Sequence, residues 1–85
     1  MHDLHIVSSV VVSVMPGRLE DVASALAALQ DTEIGATGAN KIIVLLEGRT
    51  RGEVGARLAD IALMDGVITA NMVFEHGDED RAIET

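Results

Sequence analysis

An α+β sandwich in the order β-α-β-β-α-β is the fold class this sequence predicts, and three observations predict it. The first is period-two alternation in His5–Val14 (HIVSSVVVSV), the longest β-branched run in the chain. The second is a pair of helical stripes, one beginning at Leu19 and one after Thr50. The third is an internal echo. A shift of about 34 residues lays Val10 on Val44, Val12 on Leu46, Leu29 on Leu63, Asp31 on Asp65, Ile34 on Ile68 and Ala36 on Ala70. Each half is then a strand, a helix and a parallel strand. Two right-handed crossovers interlock when each leaves a one-strand gap. The outcome is a ferredoxin-like sandwich: a four-stranded antiparallel sheet in order 4-1-3-2 with both helices on one face. The first strand is central.

Within His5–Val14, Ile6, Ser8, Val10, Val12 and Val14 point to the core, and His5, Val7, Ser9, Val11 and Ser13 point away. Met15-Pro16-Gly17 follows, with Pro16 suited to the first turn of a helix. Leu19, Val22, Ala23, Leu26 and Leu29 form one stripe of a helix that ends near Gln30. Glu33–Thr37 reads as a short second strand with Ile34 and Ala36 inward. Gly38-Ala39-Asn40 is a hairpin loop with a positive-φ residue. In Lys41–Glu47 the inward residues are Ile42, Val44 and Leu46. Thr50-Arg51-Gly52-Glu53 is a capping box that opens the second helix. Val54, Leu58, Ile61 and Ala62 are its stripe, and Gly66 its left-handed stop. The last strand, Val67–Glu75, places Ile68, Ala70, Met72 and Phe74 inward.

Parity leaves one sheet face without helices. It carries Val7, Ser9, Val11 and Ser13 from the first strand, and Ile43, Leu45 and Glu47 from the third. The fourth supplies Thr69, Asn71, Val73 and Glu75, and the second adds Glu33, Gly35 and Thr37. Five aliphatic side chains among small polar groups, on a small protein, point to a partner.

Eighty-five residues make one domain, assigned to residues 1–76, with 77–85 an acidic tail. The core must come from Val, Ile, Leu, Ala and Met, since Phe74 is the sole aromatic. With no cysteine, there is no disulfide framework or thiolate metal site. Met1-His2-Asp3 lacks the basic start of a secretory leader, and the valine run is too short for a membrane span. A net charge of −8 argues against nucleic acid and for a basic partner.

No catalytic constellation stands out, and no phosphate loop, G-x-S-x-G or HExxH is present. His5 and His76 come near one another across antiparallel strands, but parity sends them to opposite faces, so no metal site is assigned. An RNA-binding sheet would need aromatics and positive charge.

Taken together, His5-Ile6-Val7-Ser8-Ser9-Val10-Val11-Val12, Glu33-Ile34, Lys41-Ile42-Ile43-Val44-Leu45-Leu46-Glu47, Asp65-Gly66-Val67 and Val73-Phe74-Glu75-His76 resemble the NapD family. These are small cytoplasmic chaperones for maturation of the periplasmic nitrate reductase. The likeness runs from Met1 to about His76. Phe74 stands where the family has an aromatic, often tyrosine. The resemblance implies a non-enzymatic protein without a cofactor, monomeric or weakly dimeric. Its partner is the twin-arginine signal peptide of the reductase's catalytic subunit, and its task is to delay export until cofactor insertion. On that reading the peptide's apolar side lies on Val7, Val11, Ile43, Leu45 and Val73, and its arginines pair with Glu47 and Glu75. Strand addition at either sheet edge is a second binding mode. Two other functions fit the same fold. One is a homodimeric regulatory module that binds a small effector. The other is an acylphosphatase-like hydrolase, for which Arg18 and Asn71 are the available residues.

Overall fold

The computed structural model describes residues 5–77. Six elements follow one another: β1 (Ile6–Val14), α1 (Leu19–Ala27), β2 (Thr32–Gly38), β3 (Lys41–Gly48), α2 (Arg51–Ala62) and β4 (Val67–Gly77). The strands form one antiparallel sheet in order β2-β3-β1-β4, as expected. The proposed tail lies outside the described residues, except that Gly77 ends β4.

β1 alternates buried and half-buried residues along its whole length. Its buried set, Ile6, Val10, Val12 and Val14, meets Ile42, Val44 and Leu46 of β3. Val22 and Leu26 of α1 and Val54 and Ile61 of α2 close that core from above. Full burial of one such side chain contributes about 1.5–3 kcal/mol. The helical stripes match the expected ones, save that Ala62 is exposed.

The turns differ in detail from expectation. Pro16 precedes the helix: Met15 C=O accepts from Arg18 N–H at 3.0 Å, and Gly17 takes φ 83°. Proline then glycine at the centre of such a turn fits its backbone angles. Arg18 supplies no side-chain cap, and α1 stops at Ala27. Asn40 provides the positive φ of the hairpin loop. At α2, Thr50 Oγ1 accepts from Glu53 N–H at 3.0 Å. The Glu53 carboxylate accepts from Arg49 N–H, one residue earlier than a standard capping box requires. Gly66 lies beyond the helix cap, in a turn closed by Val67 N–H to Met64 C=O.

Both edge strands carry bulges, and these overturn part of the face assignment. In β4 the register steps from Ser9↔Phe74 to Val10↔Met72, which leaves Val73 extra. It steps again from Ser13↔Thr69 to Val14↔Val67, which leaves Ile68 extra. Each inserted residue reverses the parity that follows it. Phe74, expected inward, is therefore 60% exposed on the helix-free face, and Ile68 is 58% exposed. Glu75, expected on the open face, lies opposite the buried Ser8 on the helix side. His76 moves to the open face, opposite Val7. In β2, Gly35 is the extra residue between Ile34↔Val44 and Ala36↔Ile43. Ala36 thereby joins the open face, and Thr37 turns to the helix side. Bulges concentrate on sheet edges, where they disrupt further pairing.

The displaced Glu75 explains the one buried polar residue of the core face. Ser8, wholly buried, donates its hydroxyl to Glu75 Oε2 at 3.3 Å. Arg51, the first residue of α2, donates Nε–H to Glu75 Oε1 at 2.8 Å. The end of β4 is thus tied to β1 and to the start of α2. Removing one partner of a partly buried charged bond costs more than the bond's net worth. Glu75→Gln should lower unfolding free energy by about 1 kcal/mol in urea titrations, discounted for partial exposure.

At the other end, Arg18 bridges Asp65 at 2.8 Å and Asp21 at 3.3 Å, linking α1 to the turn before β4. Its hydrogen bond, and then its charge, hold the Asp65 carboxyl below its ordinary value of 3.8. A carboxyl depressed in the folded state stabilises the fold above its unfolded value, and that contribution is lost as pH falls through the folded value. Asp65→Asn should lower the urea midpoint above about pH 3.8 and make its decline below that value shallower, so that variant and parent converge in acid.

Candidate functional site

Register assembles the helix-free face into four rows across the sheet. Glu47, Val7 and His76 form the first, at the β1 N-terminal end. Glu33, Leu45, Ser9 and Phe74 form the second. Ala36, Ile43, Val11 and Asn71 form the third, and Gly38, Lys41, Ser13 and Thr69 the fourth. Ten of the residues expected here from sequence are brought together: Val7, Ser9, Val11, Ser13, Glu33, Ile43, Leu45, Glu47, Thr69 and Asn71. Val73 is a bulge residue at the edge, 62% exposed, with no β1 partner in register. Glu75 is on the opposite side of the sheet, so Glu47 and Glu75 do not flank one patch.

The middle of the face is apolar and accessible. Val7, Val11 and Leu45 are half-buried, and Ile43 is 36% exposed. Phe74 stacks on His76 with ring centroids 6.4 Å apart and planes 4° from parallel. Side chains two apart on a strand share a face, and the stack fits that placement. Sequence reasoning missed both rings as site residues because it carried strict alternation through β4. Two successive bulky apolar residues, Val73 and Phe74, before a polar end were the available sign of a bulge.

Charge gathers at the first two rows. His5 Nε2 lies 3.3 Å from Glu47 Oε1, with both side chains about half exposed. His5, Asp31, Glu47, Gly48 and Arg49 line a shallow recess beside them. Glu47 is held in place through its backbone, donating to Asp31 C=O at 3.0 Å and accepting from Arg57 Nη1 at 2.9 Å. His5 and His76 therefore share the open face, contrary to the sequence parity. No group of three or more His, Cys, Asp or Glu side chains among the described residues is placed to hold a metal. Arg18 is engaged by Asp21 and Asp65, while Asn71 lies opposite Val11 on the open face, so the hydrolase pair is not assembled. No helix among the described residues is long and apolar enough to cross a membrane.

Comparison with known proteins places this geometry in a family. The profile described as NapD protein matches residues 5–79. The Chaperone NapD of Paracoccus pantotrophus is 43% identical over 72 residues, covering 85% of this chain. The chain spans 63% of that relative's length. A solution structure of the E. coli Tat proofreading chaperone protein NapD superposes with a TM-score of 0.81 at 22% identity, over 87% of this chain and 80% of that one. That likeness is one of fold: the same four-stranded sheet with two helices. By the profile match over residues 5–79, this chain belongs to the NapD family.

Proposed function

We propose that this chain is a chaperone that binds a twin-arginine signal peptide on its helix-free sheet face. The partner is the precursor of the periplasmic nitrate reductase catalytic subunit, held in the cytoplasm until its cofactors are inserted. The role is one of binding, with no catalytic step and no cofactor of the chain's own, and a monomer suffices for it. Family membership and the names of its relatives, a chaperone and a Tat proofreading chaperone, support the role. The observation that carries the choice of surface is the open face itself. Val7, Val11, Ile43, Leu45 and Phe74 form an accessible apolar strip beside the carboxylates of Glu33 and Glu47.

The physical fit has two parts. An amphipathic helix buries its apolar stripe against such a strip, and burial of apolar area drives association at about 25 cal/mol/Å², less the cost of ordering. The arginines need exposed carboxylates, whose forked pairing adds selectivity. A net charge of −8 favours encounter with a cationic segment.

Val11→Glu or Leu45→Glu would place a carboxylate under the peptide's apolar side. Each should weaken binding of the synthetic signal peptide on the order of tenfold or more in calorimetric titration, with native circular dichroism retained. Unchanged affinity in both folded variants rejects the sheet face.

A further inference from the structure

We propose that the open face receives its peptide in one polarity, with the arginines at the Glu33–Glu47 end and the apolar run extending toward Lys41. The inference rests on the peptide-binding reading above and adds direction to it.

The face is electrically asymmetric along β1. Glu47 lies opposite Val7 in the first row, and Glu33 opposite Leu45 in the second. Lys41 lies opposite Ser13 in the fourth row and is the one charged residue of the third and fourth rows. Arg49 stands beyond Gly48 at the rim of the recess, outside the rows, with its backbone N–H given to Glu53. His5 contacts Glu47, and an incoming guanidinium competes with it for that carboxylate. Glu47 and Lys41 are six residues apart on β3, about 20 Å at 3.4 Å per residue. A helix of about 13 residues, at 1.5 Å per residue, spans that distance.

A helix laid along the face interacts with both ends of this gradient. Its N-terminus carries partial positive charge and its C-terminus partial negative charge. With the N-terminus over Glu47 and Glu33, the dipole and the arginine charges oppose the carboxylates, and the C-terminus approaches Lys41. The reversed pose sets the arginines against Lys41 and the helix C-terminus against two carboxylates. Phe74 adds to the same asymmetry. It lies in the row of Glu33, and its exposed ring offers a guanidinium a stacking surface.

The test uses the full chain, labelled with 15N. The probe is a synthetic peptide carrying Arg-Arg ahead of an apolar run, with a nitroxide at one end or the other. The N-terminal label should broaden the amide signals of Val7 and Glu47 most, and the C-terminal label those of Ser13 and Lys41. The reverse pattern, or equal broadening from both labels, overturns the polarity while leaving face binding intact. Absence of any amide shift with unlabelled peptide overturns the binding reading and the polarity with it. Combining Glu47→Lys with Lys41→Glu should exchange the two broadening patterns or lower affinity about tenfold. A folded double variant that keeps both the pattern and the affinity overturns the proposal.

Discussion

β1 is hydrogen-bonded on both sides, so its side-chain alternation is imposed on β3 and β4 at once. A one-residue slip on either flank would exchange core and surface along a whole strand. The fold meets this constraint at its centre with an unbroken nine-residue strand whose inward set is dry throughout. The freedom to depart from alternation is confined to the edges. β2 accommodates one extra residue and β4 two, and each departure changes what the open face displays. The register of β1 with β3 fixes Val7, Ser9, Val11 and Ser13 beside Glu47, Leu45, Ile43 and Lys41. The bulges of β4 then add Phe74 and His76 to one end of that surface.

The same bulge gives Glu75 a structural place. A serine within a valine strand would leave a buried hydroxyl unpaired, which costs about 1–3 kcal/mol. Because Val73 is inserted, Glu75 comes round to accept from Ser8 and to bind Arg51 at the start of α2. One insertion therefore both satisfies the core and supplies the open face with an aromatic ring. Glu33 and Glu47 remain as that face's carboxylates, gathered at one end, with Lys41 at the other.

Much of this was legible in the sequence because it rests on local rules. Element order, the central position of β1, the helical stripes, the cap at Thr50 and a positive-φ residue somewhere in the 38–40 loop all follow from period, capping and turn chemistry. Ten of the fourteen expected face residues do share the face. Val73, Glu75, Gly35 and Thr37 do not, and Phe74, expected in the core, lies outside. A bulge is a property of pairing between strands: Val73-Phe74 signals a break in alternation, but the residues of β4 alone do not encode which of the two is skipped. Gly35 hinted at the β2 bulge through its missing side chain, whereas Val73 and Ile68 are ordinary strand residues. Pro16 misled in the same way: its fixed φ suits both a helix start and the turn that precedes one.

The β4 bulge turns Phe74 out of the core and onto the open face, where the proposed peptide would meet it. Phe74→Ala tests it most directly, with signal-peptide affinity and urea stability measured on the same preparation. The account predicts a loss of affinity on the order of tenfold with an unfolding free energy within about 1 kcal/mol of the parent. A loss of stability of about 3–5 kcal/mol, as for a buried phenylalanine, with affinity intact would contradict it.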